Sequence, residues 1–117
     1  MNDEAHGDLI VAVVNKGYSD ELITAAREAG ARGGTIINAR GMTHEGPVRF
    51  FGISVQEEKE IIIILAAREQ KLPIMQALSN NFGLNTEAEG FVFSLPVDAV
   101  GGFALSGEEA AGTGGDA

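Results

Sequence analysis

The segment Glu60–Ala67 (EIIIILAA) constrains this chain most, because seven apolar residues follow one another without a polar interruption. The run is far shorter than the ~20 residues a bilayer crossing needs. Four consecutive isoleucines favour a pleated strand, where β-branched side chains pack well. Successive side chains of a strand point to opposite faces, so a strand that is apolar at every position has two faces to keep from water. Leu9–Val14 (LIVAVV) makes the same demand. Helices of the same chain can cover one side of a sheet built from such strands. The other side is expected to meet a second subunit.

Length and charge narrow the field further. The chain has 117 residues, the size of one domain. Without cysteine it has no disulfides, no thiolate metal sites and no cysteine nucleophile. Its 17 acidic and 8 basic residues give a net charge of −9. That balance repels nucleic-acid phosphates and anionic membrane surfaces, so neither nucleic-acid binding nor direct membrane insertion is expected. No signal-peptide pattern is visible, and the expected location is the cytoplasm. Residues 1–7 read as a disordered leader. Ser106–Ala117 (SGEEAAGTGGDA) reads as a disordered acidic, Gly-rich tail. One domain is left over residues 8–105.

Within that domain a strand at Leu9–Val14 leads through the turn Asn15–Tyr18 to a helix over Asp20–Ala29. Ser19 is its expected N-cap, Asp20 and Glu21 suit its first turn, and Gly30 suits its C-terminal stop. Leu22, Ala25, Ala26 and Ala29 form its apolar stripe. A second strand, Thr35–Ala39, follows Gly33-Gly34. Residues 42–56 read as a long hairpin connection, with Glu57–Lys59 as a charged corner. The strand Glu60–Ala67 precedes a second helix, which starts near Lys71 or Leu72 so that Pro73 falls in its first turn. Ile74, Leu78 and either Ala77 or Asn81 share its inner face, and Gly83 caps it. Phe91–Leu95 is the last strand, with Pro96 at its end. The order predicts an α+β, ferredoxin-like βαββαβ fold, an antiparallel sheet with both helices on one face.

Four segments together resemble the P-II nitrogen-regulator family, in its short-loop PII-like branch. They are LIVAVVNKG (Leu9–Gly17), GARGGTIINARG (Gly30–Gly41), FFGISVQEEKEIIIIL (Phe50–Leu65) and GLNTEAEGFVFSLPVDAV (Gly83–Val100). The resemblance spans Asp8–Phe103. It implies a homotrimer whose sheets line a central core, with an adenine nucleotide of the ADP, AMP or ATP class in clefts between subunits as regulatory ligand. It also implies a loop, here 41–56, that docks on a regulated partner such as a membrane transporter or a metabolic enzyme. By position, Thr35, Arg40, Gly41, Met42 and Thr43 would lie at the strand end and loop base that meet the nucleotide. Ile63 and Ile64 would lie near the adenine, and Thr86, Glu89 and Gly90 in the turn facing the phosphates. Arg49, Phe50 and Phe51 are the loop residues for partner contact. Two adjacent phenylalanines in an extended loop point to opposite sides, so one is available to a partner.

The phosphate turn departs from the family pattern. Phe91 stands where the family has a lysine, and Glu87 and Glu89 lie where a phosphate would sit. The C-terminal strand's basic residues are replaced by Val100-Gly101-Gly102-Phe103. Arg40 is the retained cation, with Arg49 a second candidate, so a nucleotide with less charge than a triphosphate, AMP, ADP or a cyclic nucleotide, is favoured. The loop has no tyrosine, which removes modification at such a residue. A regulatory binding protein and not an enzyme is expected. The alternatives are a metal- or small-metabolite-binding trimer and a small ferredoxin-like phosphatase using Arg40 and Asn38. His44 has no partner at metal-ligand spacing, and no metal site is expected.

Overall fold

The computed structural model describes residues 7–41, 48–50, 53–55 and 57–102, the two short segments by their backbone alone. The expected leader up to His6, the loop-base residues Met42 and Thr43, the loop phenylalanine Phe51 and the acidic tail lie outside the described residues, as do the side chains of Arg49 and Phe50.

Strand β1 is Gly7–Asn15, so it takes in Gly7 from the expected leader. Helix α1 is Ser19–Glu28 and β2 is Thr35–Gly41. The connection carries a short hairpin, β3 (Val48–Phe50) paired antiparallel with β4 (Ile53–Val55). Strand β5 is Glu57–Ala67, longer than its apolar run. A single 3₁₀ turn, Arg68–Gln70, leads into α2 (Lys71–Phe82), and β6 (Phe91–Val97) closes the fold. The main sheet runs β2-β5-β1-β6 with every neighbouring pair antiparallel. With the hairpin set aside, this is the ferredoxin-like βαββαβ order.

Glu57–Lys59 is not a corner but the first stretch of β5. Its residues pair with Gly41, Arg40 and Ala39 of β2. Backbone pairing to a neighbour outweighs the weak intrinsic preference of Glu and Lys for loops. Pro96 lies inside β6 rather than at its end, which is tolerated because β6 is an edge strand.

The core lies between the helices and one face of the sheet. Ile10, Ala12 and Val14 of β1 and Ile62, Ile64 and Ala66 of β5 are buried there. They meet Leu22 and Ala26 of α1 and Ile74, Leu78 and Phe82 of α2. The α2 stripe thus runs i, i+4, i+8 from Ile74 and ends on Phe82, with Asn81 exposed. Fully burying an isoleucine side chain stabilises a fold by about 1.5–3 kcal/mol, so this face supplies most of the domain's cohesion.

The other face has no cover within the described chain. It carries Leu9, Val11 and Val13 from β1, Ile61, Ile63 and Leu65 from β5, and Phe91, Phe93 and Leu95 from β6, all in register. Ile37 continues it on β2, opposite Ile61. Phe91, Phe93, Leu95 and Ile37 are each 43–53% exposed. The rings of Phe91 and Phe93 stack with centroids 6.3 Å apart.

Both ends of α1 are set by specific backbone chemistry. At the C-terminus, Gly30 adopts φ 121°, its N–H bonds Arg27 O at 3.0 Å, and Ala31 N–H bonds Ala26 O at 2.9 Å. That is a Schellman stop, which favours glycine at the left-handed position. At the N-terminus, Ser19 does not act as the cap. It is the first helical residue, and its side chain makes no capping bond. The buried Glu60 carboxylate takes that role from β5. Its Oε1 accepts from Gly17 N–H at 3.1 Å and Ser19 N–H at 3.2 Å. A negative group at a helix N-terminus is also favoured by the helix dipole.

Candidate functional site

One end of the sheet gathers the C-terminal ends of β1 and β2, the start of β5 and the turn before β6. The register explains why. Lys59 sits opposite Ala39 of β2 on one side and Asn15 of β1 on the other. An open cleft of about 590 Å³ lies there, lined by Lys16, Asn38, Ala39, Arg40, Glu58 and Lys59. Three cations converge on it in a chain whose net charge is −9.

These cations are not equivalent. Lys16 pairs with Glu58 at 3.0 Å, both side chains more than half exposed. The hydrogen bond to Glu58, and then its charge, hold the Lys16 ammonium above its ordinary pKa. Lys59 is largely buried. Its Nζ lies 3.1 Å from Glu57 Oε1 and donates to Asn15 Oδ1 at 2.7 Å. Arg40 is exposed and makes no ion pair with a described residue. Arg40 and Asn38 share one side of β2 and line the same cleft, a meeting that strand alternation produces.

The turn between α2 and β6 stands at the same end. Asn15 N–H donates to Ala88 O at 2.9 Å, and Asn15 Nδ2 to Glu87 O at 3.2 Å. Tyr18 donates its hydroxyl to Glu87 Oε1 at 3.2 Å. Burial first, and then the Glu87 carboxylate, raise the Tyr18 hydroxyl above its ordinary pKa.

The positions expected from the sequence separate into groups. Arg40 and Gly41 stand at the cleft end of β2, as expected for a loop base. Thr35 and Ile63 pair with each other five residues away along β2, roughly 17 Å from Arg40 at strand rise. Ile64 is fully buried beneath the helices, so it has no surface to offer an adenine. Strand alternation leaves only one of two adjacent isoleucines on the open side, and that one is Ile63.

The turn residues have inward-directed jobs. Thr86 N–H and hydroxyl both bond Gly83 O, at 3.0 and 2.7 Å. Glu89 N–H bonds Thr86 O at 3.0 Å, and Gly90 N–H bonds Phe82 O at 2.9 Å. The N–H groups of these three residues are therefore committed within the turn. Gly90 is buried, and a Cβ there would lie 2.5 Å from Phe82 O and 2.6 Å from Val14 Cγ1. The glycine is required by the turn's own packing. Gly83 likewise does not end α2 in a left-handed conformation, since its φ is −75°; a Cβ would meet Ser79 O at 2.5 Å.

Sequence reasoning missed Lys16 and Lys59. Lys16 was visible in the turn after β1, and its significance depends on β1 lying beside β5. Among the described residues no three acidic or histidine side chains converge as a metal-ligand set. No described helix is long and apolar enough to cross a membrane.

The described residues form a ferredoxin-like sheet with one bare apolar face and a cation-lined cleft where its loop departs. The family model described as nitrogen regulatory protein P-II matches residues 8–103, and the chain belongs to that family of regulatory proteins. A crystal structure of a putative PII-like signalling protein from Thermus thermophilus shares the fold, with a TM-score of 0.57 and 22% identity over 80% of this chain and 89% of that one. No match was found among curated proteins.

Proposed function

We propose that three copies of this chain assemble through the open faces of their sheets and bind an adenine nucleotide, AMP or ADP in charge class, in clefts between subunits. Occupancy then changes the 41–56 loop, which docks on a regulated protein, a membrane transporter or a metabolic enzyme, in the cytoplasm. The observation that carries this reading is the bare apolar face, a patch that runs across all four strands of the sheet and that P-II family membership connects with assembly.

The separation of the candidate residues supports a cleft with two sources. Arg40 stands at one end of β2, and Thr35 and Ile63 at the other. A single compact ligand touches both sets only when neighbouring subunits contribute one set each. Arg40, Lys16 and Lys59 serve the phosphates, in place of the committed N–H groups of Thr86, Glu89 and Gly90. With Glu57 and Glu58 beside two of these cations, the cleft suits one or two phosphate groups better than three. A loop that responds to the ligand must bind it differently in its two states.

Light scattering on the eluting protein tests the assembly, with about three times the 12.2 kDa chain mass expected. Calorimetric titration with AMP, ADP, ATP and cyclic AMP tests the ligand. A monomer with its sheet face in water, or silence with all four nucleotides, defeats the reading. A second reading, a small phosphatase, draws on Asn38 and Arg40 meeting in the cleft. Turnover of acetyl phosphate decides for it, and no turnover is expected.

A further inference from the structure

We infer that Asn15 is a positioning residue that couples the charge state of the cleft to the turn before β6. The functional meaning of this coupling rests on the cleft being the ligand site, as proposed above. The coupling itself is a property of the free protein.

The geometry is that of a two-sided amide. Asn15 Oδ1 accepts from Lys59 Nζ at 2.7 Å, on the cleft side. Asn15 Nδ2 donates to Glu87 O at 3.2 Å, on the turn side. Its backbone N–H holds the next carbonyl, Ala88 O, at 2.9 Å. One residue therefore grips two consecutive carbonyls of the turn while its own oxygen is fixed by a cation that lines the cleft.

The side-chain type matters. The ammonium selects the amide orientation that puts oxygen toward Lys59 and NH₂ toward the turn. An aspartate would keep the bond to Lys59 and set a carboxylate oxygen against Glu87 O, which repels it. Lys59 has one other described partner, Glu57, at 3.1 Å. An anion arriving in the cleft competes for the same ammonium. When Lys59 turns toward it, Asn15 loses what fixes its amide, and the turn loses one of its ties. The buried Gly90 is the next residue to feel this, because its N–H closes the turn onto Phe82 O.

Hydrogen exchange in the full-length protein decides the matter, read at the amides of residues 15, 89 and 90. In Lys59→Met, exchange at these amides is expected to rise about fivefold, the equivalent of one lost hydrogen bond, although of these three residues Lys59 bonds only Asn15. Asn15→Asp is expected to give a similar rise. The double variant is expected to add little to either single one, as members of one network do. The core amides of Ile10 and Ile62 are expected to keep wild-type protection. Turn amides unchanged in Lys59→Met, fully additive effects, or equal acceleration in the core would each overturn the proposal. With saturating ADP, the turn amides of the wild type are expected to shift, and those of Asn15→Asp to shift less. Equal shifts would count against Asn15. If neither ADP nor any of AMP, ATP and cyclic AMP binds, the cleft reading fails, and the free-protein comparison still decides on Asn15.

Discussion

The two faces of the sheet are made from the same strands, yet they meet opposite fates. On β5, Ile62 and Ile64 are fully buried under the helices, while Ile61 and Ile63, which alternate with them, look out from the open side. Hydropathy does not distinguish the members of this run; only strand alternation does. The covered face is completed by the chain's own helices, and the open face is as apolar but has no partner within the described chain. A sheet greasy on one side folds alone. A sheet greasy on both sides sets its own association state as part of its stability.

The largest effects should separate these faces. Ile64→Ala removes buried volume from the covered side and is expected to lower stability by about 2–5 kcal/mol in urea unfolding at fixed protein concentration. Phe93→Asp places a charge on the open side. It is expected to leave the far-ultraviolet circular dichroism of a folded protein while shifting elution to that of a monomer. A Phe93→Asp protein that still elutes with the wild type would erase the proposed difference between the faces.

Glu60 tests the comparison from within, because it is a buried charged residue at the margin of the covered face. Glu60→Ala leaves the N–H groups of Gly17 and Ser19 without their acceptor. About 1–3 kcal/mol of stability should be lost. Glu60→Gln keeps an oxygen in place and should lose less, about 0.3–1 kcal/mol, the usual scale of a charge at a helix N-terminus. Equal losses would mean that charge, and not hydrogen bonding, is what Glu60 supplies.

How much of this was legible in the sequence follows the range of the signal. The strands and both helices were visible because their apolar runs and stripes are local. The burial of Ile64 was also within reach, since alternation allows only one of two adjacent isoleucines to face a ligand. The extension of β5 through Glu57–Lys59 was not, because charged residues read as a corner until Gly41, Arg40 and Ala39 are known to pair with them. The cleft splits the same way. Arg40 stood out at a strand end, whereas Lys16 and Lys59 become neighbours only through the β1–β5 register. The Ser19 cap failed for a similar reason, since its competitor, Glu60, lies 41 residues away along the chain. The turn glycine Gly90 stood out for permitting close approach, but what approaches it is the chain's own Phe82 and Val14.

Arg40 and Ile64 should behave as opposites. Arg40→Ala touches no buried contact and should change stability by less than about 0.5 kcal/mol. In calorimetric titration with ADP it should weaken binding about tenfold or more, the scale of a lost charge-assisted hydrogen bond. Unchanged affinity would move the phosphate site away from the end of β2.

The smallest effect belongs to Lys16, and its sign can be worked out. Its ammonium is held above the ordinary value of 10.5, first by the hydrogen bond to Glu58 and then by that residue's charge. A cation whose pKa is raised by folding adds stability that is fully present below the unfolded value. That contribution is lost as pH rises through the folded value. The melting temperature of wild type should therefore exceed that of Lys16→Met slightly at pH 8, and the gap should close above the raised value. Both partners are more than half exposed, so 0.5 M salt should shrink the gap at pH 8 as well, to roughly the level of an unpaired surface charge. A gap that widens with pH would mean that the pair with Glu58 does not persist in solution. Lys16 would then be a free cation of the cleft alongside Arg40, and the site would carry one more positive charge toward its ligand than the paired geometry leaves it.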